Sequence, residues 1–198
     1  MIRRALGAAA LLTIVLTGPA MAVTATVTAA DPASFSPSSK TINQGDRINW
    51  TNPAVGTRDH TSSSNSTNPM SWNFTLNEND AAPPTAGVTF THAGQFGYHC
   101  NIHATMKGSV LVKLKQTRID SNSWTIRSAS ATAPTGFTHA VQFRKQGTST
   151  WINLGSPSTS ATRRFDAPSA GTWQLRGQYK KTGGASSGFS PTLTLTTS

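Results

Sequence analysis

The chain alternates short apolar and polar runs with a period of two, and turn residues break the pattern every few positions, which predicts β-strands throughout. The stretch from Ala22 to Thr28 alternates, Ser34-Phe-Ser-Pro turns, and Lys40-Thr-Ile-Asn leads into a Gly45-Asp46 turn before the strand Arg47-Ile-Asn-Trp-Thr. Thr61 to Pro69 is rich in Ser and Asn and reads as loop; Trp72-Asn-Phe-Thr-Leu resumes a strand. A polar, Pro-containing excursion follows from Asn77 to Ala86, then a strand over Gly87 to His92. Ala93-Gly-Gln turns into Phe96-Gly-Tyr-His-Cys, and Gly108-Ser-Val-Leu-Val-Lys closes the series. These runs predict an antiparallel Greek-key β-sandwich.

Residues 115–122 lack apolar alternation and are expected to be a junction. Beyond them a second β series begins at Trp124-Thr-Ile-Arg, continues through His139 to Lys145, Trp151-Ile-Asn-Leu, Ala161 to Phe165 and Gly171 to Tyr179, and ends at Pro191-Thr-Leu-Thr-Leu. The expected organisation is all-β: a segment over 1–22, a sandwich over 23–114, the junction, and a second sandwich over 123–198. The tryptophans are expected in the sandwich cores, Trp50 and Trp173 foremost.

The first 22 residues change that picture. Met1-Ile-Arg-Arg, the apolar run Ala5 to Leu16 and Ala20-Met-Ala have the charged, apolar and small-residue order of a secretory signal peptide, cleaved after Ala22. The apolar run is too short to span a bilayer. The mature protein is therefore expected to be secreted or periplasmic. In that setting Cys100, the one cysteine of the chain, has no intramolecular disulfide partner and needs another occupation.

The sequence Cys100-Asn-Ile-His-Ala-Thr-Met106 supplies one. It places a thiolate, an imidazole and a thioether three residues apart on a loop between two strands, where all three can turn to one point. Thiolate, imidazole and weak axial thioether suit a blue copper site when a second imidazole completes the trigonal plane. His60, where a strand gives way to what reads as a loop, is the candidate for that imidazole. His99 should point away from the copper because successive strand side chains face opposite ways. His92 and His139 are expected to be exposed.

Together Phe35-Ser-Pro, Ile42, Gly45-Asp-Arg-Ile-Asn-Trp, His60-Thr61 and the run from Phe96 to Val110 resemble the plastocyanin and azurin family of cupredoxins. The resemblance covers nearly all of residues 24–114. It implies one type 1 copper held by His60, Cys100, His103 and Met106, cycling between Cu(I) and Cu(II). Two residues separate His103 from Met106, a short ligand loop similar to that of amicyanin. By the same resemblance the edge of His103 is an electron port ringed by apolar residues such as Ala104. In the second series, Val141 to Lys145, Trp151, Trp173 to Tyr179 and Ser187-Gly-Phe-Ser-Pro resemble a fibronectin type III domain over most of residues 118–198.

These readings imply a monomeric electron carrier between redox protein partners, a binding protein rather than an enzyme. Copper storage or delivery is the alternative, and relationship to an oxidase is disfavoured for want of further paired histidines. Charge adds one more expectation. Between residues 23 and 114, Lys40, Arg47, Arg58, Lys107 and Lys113 balance Asp31, Asp46, Asp59, Glu78 and Asp80, whereas residues 115–198 carry ten Lys or Arg against Asp120 and Asp166. The overall charge of +10 thus belongs mainly to the C-terminal half. That half could engage an anionic cell-envelope polymer, phospholipid headgroups or an acidic redox protein. A nucleic acid partner is excluded by export.

Overall fold

The computed structural model describes residues 22–53, 58–79 and 86–197. The proposed signal segment lies outside these, except for Ala22. No helix among the described residues is long and apolar enough to cross a membrane.

Among the described residues all the regular structure is β, in two sandwiches. The first opens with β1 (Thr24–Ala30), β2 (Ser34–Ser36), β3 (Ser39–Ile42) and β4 (Arg47–Thr51). It continues with β5 (His60–Ser64), β6 (Asn73–Leu76), β7 (Gly87–Thr89), β8 (Gly94–His99) and β9 (Lys107–Val112). One sheet has the order β2-β1-β4-β7 and the other β3-β9-β8-β5-β6. The expectation of a purely antiparallel sandwich is corrected in two places, since β1 pairs with β4 and β3 with β9 in parallel. The cause is connectivity. After β1 and β2 the chain crosses to the opposite sheet for β3 and returns for β4, so neighbours on a sheet are not always consecutive in sequence.

Thr61 to Ser64, expected as loop, belong to β5. Ser62 and Ser63 are buried there because they have partners: Ser62 Oγ accepts from Trp72 Nε1 at 3.1 Å, and Ser63 Oγ donates to Asn73 Oδ1 at 2.6 Å. Trp50, fully buried, stacks on Trp72 with ring centroids 5.5 Å apart and meets Tyr98 edge-on at 5.4 Å. Such aromatic pairs add about 0.5–1.5 kcal/mol each beyond the area they bury.

The second sandwich contains β10 (Lys115–Arg118), β11 (Ser123–Arg127), β12 (Phe137–Lys145), β13 (Ile152–Asn153), β14 (Thr162–Asp166), β15 (Thr172–Lys181) and β16 (Leu193–Thr196). Its sheets have the orders β10-β11-β14 and β13-β12-β15-β16. Half of the expected junction is therefore strand: Lys115–Arg118 pairs along β11 as a largely exposed edge, and the lack of apolar alternation there reflects an edge strand facing water. Only Lys113 and Leu114 separate β9 from β10.

The sandwiches are joined by more than those two residues. Gln44 Nε2 donates to the carbonyls of Lys113 at 3.0 Å and Arg127 at 2.8 Å, and Gln95 and Gly188 exchange backbone hydrogen bonds at 2.9 and 2.8 Å. His92 and His139, expected to be exposed, meet across this junction instead, with His92 Nδ1 3.0 Å from His139 Nε2. His139 is 1% exposed, and Tyr179 stacks on His92 with centroids 3.8 Å apart. All of these contacts lie at the Gly94 end of β8, one strand length from Cys100.

Candidate metal centre

Strand β8 buries Gly94, Phe96 and Tyr98 in alternation, and the same parity carries Cys100 inward. His99 takes the other side, as expected, where Nδ1 lies 2.9 Å from Asn65 Oδ1. The chain then doubles back: Cys100 N–H donates to Met106 O and Met106 N–H to His103 O, both at 3.0 Å. These two bonds close the seven-residue turn, Cys100 to Met106, from which His103 and Met106 project. From the opposite side, β5 begins at His60 and brings its imidazole to the same point.

One ring nitrogen of His60, one of His103 and the Cys100 Sγ all lie within 4.8 Å of one another. Cys100 Sγ is 3.6 Å from His103 Nδ1, and the two imidazole centroids are 4.9 Å apart. Cys100, His60 and Met106 are buried, and His103 is half-buried. Met106 packs in the same core cluster as Cys100.

Two loops are locked together around the sulfur. Thr61 N–H donates to Cys100 Sγ at 3.3 Å. Asn101 N–H donates to Thr61 Oγ1 at 2.7 Å, and Asn101 Nδ2 donates to Ser63 Oγ at 2.8 Å. This network fixes the position of the sulfur relative to His60 without using any ring nitrogen of either histidine.

The donor set fits a copper ion on an independent count. Both ring nitrogens of His60 are buried without a hydrogen-bond partner, an arrangement costly for a polar group unless something binds it. Burial, and then the neighbouring His103, hold the His60 pKa below its ordinary value against the pull of Asp31 and Asp59. The imidazole is therefore neutral, as a metal ligand must be. Next to His103 a cavity of about 490 Å³ is lined by Asp31, Pro32, Ala33 and Arg58. Asp31 and Arg58 are the residues at this site that the sequence reading missed. They carry no ligand spacing, and only the fold brings them to the copper end.

Residues 21–113 match the model of the copper-binding proteins of the plastocyanin/azurin family. No curated protein matches the chain. Among solved structures, the chain is similar to amicyanin from Paracoccus versutus, with 22% identity over 49% of this chain and 86% of that one and a TM-score of 0.37. It is also similar to a purple cupredoxin from Nitrosopumilus maritimus, with 22% identity over 45% of this chain and 99% of that one and a TM-score of 0.35. A copper-containing nitrite reductase from Thermus scotoductus shows 24% identity over 50% of this chain and 25% of that one, with a TM-score of 0.39. Just under half of the chain, residues 21–113, is thus similar to the copper-binding proteins of the plastocyanin/azurin family, and the cluster of His60, Cys100 and His103 is compatible with a single type 1 copper ion.

Proposed function

We propose that this protein is an exported one-electron carrier, in which His60, Cys100 and His103 would hold the copper and Met106 would supply a further, weaker sulfur ligand. When bound, the copper supplies a Cu(I)/Cu(II) couple. The single observation that carries the reading is the convergence of one thiolate and two imidazoles on a buried point, with a sulfur-directed amide from Thr61.

The chain's contribution is to hold these ligands in nearly one geometry for both charges of the ion, so that little reorganises when the electron moves. The loop bonds of Cys100, His103 and Met106 and the Asn101 bridge to β5 serve that end. His103 is the ligand nearest solvent, and Ile102, 55% exposed, with exposed Ala104 and the nearby Pro32 and Ala33, gives its edge an apolar surround. That surround supports close docking of a redox protein partner. The order of charged, apolar and small residues over 1–22 supports export to the periplasm or beyond.

His92 and His139 are engaged with each other at the far end of the domain, which favours a carrier over an oxidase with a second copper centre. The three-plus-four sheet order of the second sandwich supports its reading as a fibronectin type III-like domain appended to the copper domain.

An absorption spectrum and a voltammogram of the copper-loaded protein test the proposal. An intense thiolate-to-copper band, absent in Cys100→Ser, and a reversible one-electron wave are expected. Absence of that band in the unmutated protein overturns the copper assignment. Ready loss of copper to mild chelators, with no reversible wave, overturns electron transfer in favour of copper delivery.

A further inference from the structure

The second sandwich carries positive charge that its own acids do not answer. Asp120 and Asp166, the acidic residues between 115 and 198, both attend Arg164, at 3.9 Å and 2.7 Å, on the β10-β11-β14 side. Residues 137–153 and 171–198, which build the four-stranded sheet, contain no acidic residue but carry Arg144, Lys145, Arg176, Lys180 and Lys181.

Strand parity sorts these cations. Along β15 the buried positions are Trp173, Leu175, Gly177 and Tyr179, so Gln174, Arg176, Gln178 and Lys180 stand on the outer face. In β12, Val141 is buried and Gln142 and Arg144 share the outer face with them. Trp151, expected in the core, lies there too. Arg144 and Arg176 both rest on its ring, at 4.4 and 4.1 Å from the centroid, and Arg176 also lies 3.7 Å from the Phe189 centroid. Gln174 Oε1 accepts from Arg144 Nε at 2.8 Å, and Gln142 Oε1 accepts from Arg176 Nε at 3.0 Å.

Rings and neutral amides thus hold two guanidinium groups against one tryptophan ring without neutralising either. Burial and the Arg144 charge lower the Arg176 pKa, which registers the mutual repulsion. Both the Nε and Nη2 of Arg176 donate to Gln142 Oε1, which leaves its Nη1 and the terminal nitrogens of Arg144 for an oxyanion that offsets that repulsion and gains charge-assisted hydrogen bonds. Lys180 lies four residues further along the same face, about 13 Å at strand rise. A single ion can meet one end of this line, whereas a polymer with repeated charges meets both. The face offers no protruding apolar anchor of the kind protein partners bury; exposed Ile152 is at its edge, in register with inward-facing Phe143. Thr194 and Thr196 instead expose hydroxyl groups suited to sugar hydroxyls.

We propose that the outer face of the β13-β12-β15-β16 sheet binds an anionic polysaccharide, with one carboxylate seated at Arg144 and Arg176 and the chain running toward Lys180. This site is independent of the copper reading, and either can fail without the other.

Equilibrium binding of the full-length protein to polygalacturonate, with dextran as the uncharged control, tests it. Saturable, salt-sensitive binding to polygalacturonate alone is expected. Arg144→Gln with Arg176→Gln should weaken it roughly tenfold or more, and Arg144→Lys with Arg176→Lys roughly threefold or more, because lysine keeps the charge but not the planar fork. The pair Lys40→Gln and Lys113→Gln, which removes the same charge from the copper domain, should leave binding within about twofold. Far-ultraviolet circular dichroism checks that each variant is folded. No saturable binding, an equal loss in the Lys40/Lys113 variant, or unchanged affinity in the double-lysine variant overturns the proposal. So does tighter Arg144- and Arg176-dependent binding to phosphatidylglycerol vesicles or polyglutamate, which would assign the face to a membrane or an acidic protein.

Discussion

His60 has two buried ring nitrogens and no hydrogen bond to either. In the proposed copper site one of them would ligate the metal, and Nε2 has the Asp31 carboxylate 4.0 Å away. Groups behind a metal-bound imidazole set its basicity and so tune the metal. A negative charge there stabilises the more positive oxidation state, so its removal should raise the reduction potential. Because the Asp31 side chain is 40% exposed, solvent screens most of the Coulomb interaction and about 1 kcal/mol remains, or roughly 40 mV for one electron. Asp31→Asn is therefore expected to raise the potential by that order in cyclic voltammetry, with the visible band retained. A potential that stays put or falls would show that the carboxylate does not act on the site.

At the scale of elements, β9 approaches β8 so closely that only glycine fits at one place. A Cβ on Gly108 would overlap the Cζ, Oη and Cε2 atoms of Tyr98, whose ring is fully buried between Phe35, at a centroid distance of 4.7 Å, and Trp50. The ring has no free direction in which to move. Gly108→Ala should cost about 2–4 kcal/mol in urea unfolding of the metal-free protein, and because Gly108 is two residues from Met106, copper should be lost faster as well. A shift under about 0.5 kcal/mol, the usual range for a surface substitution, would mean that β9 can withdraw at this point. The same strands show which elements are legible in sequence. The alternation of β8 and the spacing of Cys100, His103 and Met106 could be read directly because one local stretch carries both periodicity and chemistry. Strand β5 could not, since its Ser-rich run is buried by virtue of bonds to Trp72 and Asn73 from a different strand. Nor could β10, a polar edge whose pairing is visible only beside β11. Trp151 was misplaced for a related reason: a tryptophan fits a core by composition, and only the pairing of β13 with β12 sets it on the outer face beneath two arginines.

For the whole molecule, the distinctive feature is that the sandwiches are joined through a pair of histidines at the end opposite the copper. His139 Nδ1 lies 3.1 Å from the Ser160 carbonyl and must donate to it, so its Nε2 is the acceptor for His92 Nδ1–H. Both rings are neutral in this arrangement. Burial chiefly, and then His139, push the His92 pKa down to about 4; burial likewise lowers that of His139, with the Arg163 guanidinium adding to the effect. The facing groups are thus His139, Arg163 and the phenol of Tyr179, and none supplies a carboxylate to stabilise an added proton. A histidine whose pKa is lower folded than unfolded binds its proton mainly in the unfolded chain, so its contribution to stability is complete above the free-histidine value of about 6.5 and declines as pH falls toward about 4. For His92 the loss over that window is at most about 3 kcal/mol. Urea midpoints of the metal-free protein should therefore fall between pH 6.5 and pH 4. His92→Phe, which retains a ring for stacking on Tyr179 but leaves His139 Nε2 without its donor, should lower stability by about 1–3 kcal/mol at neutral pH and flatten the acid slope. If the variant keeps the full slope, the acid sensitivity comes from elsewhere and the two sandwiches are not joined through this proton.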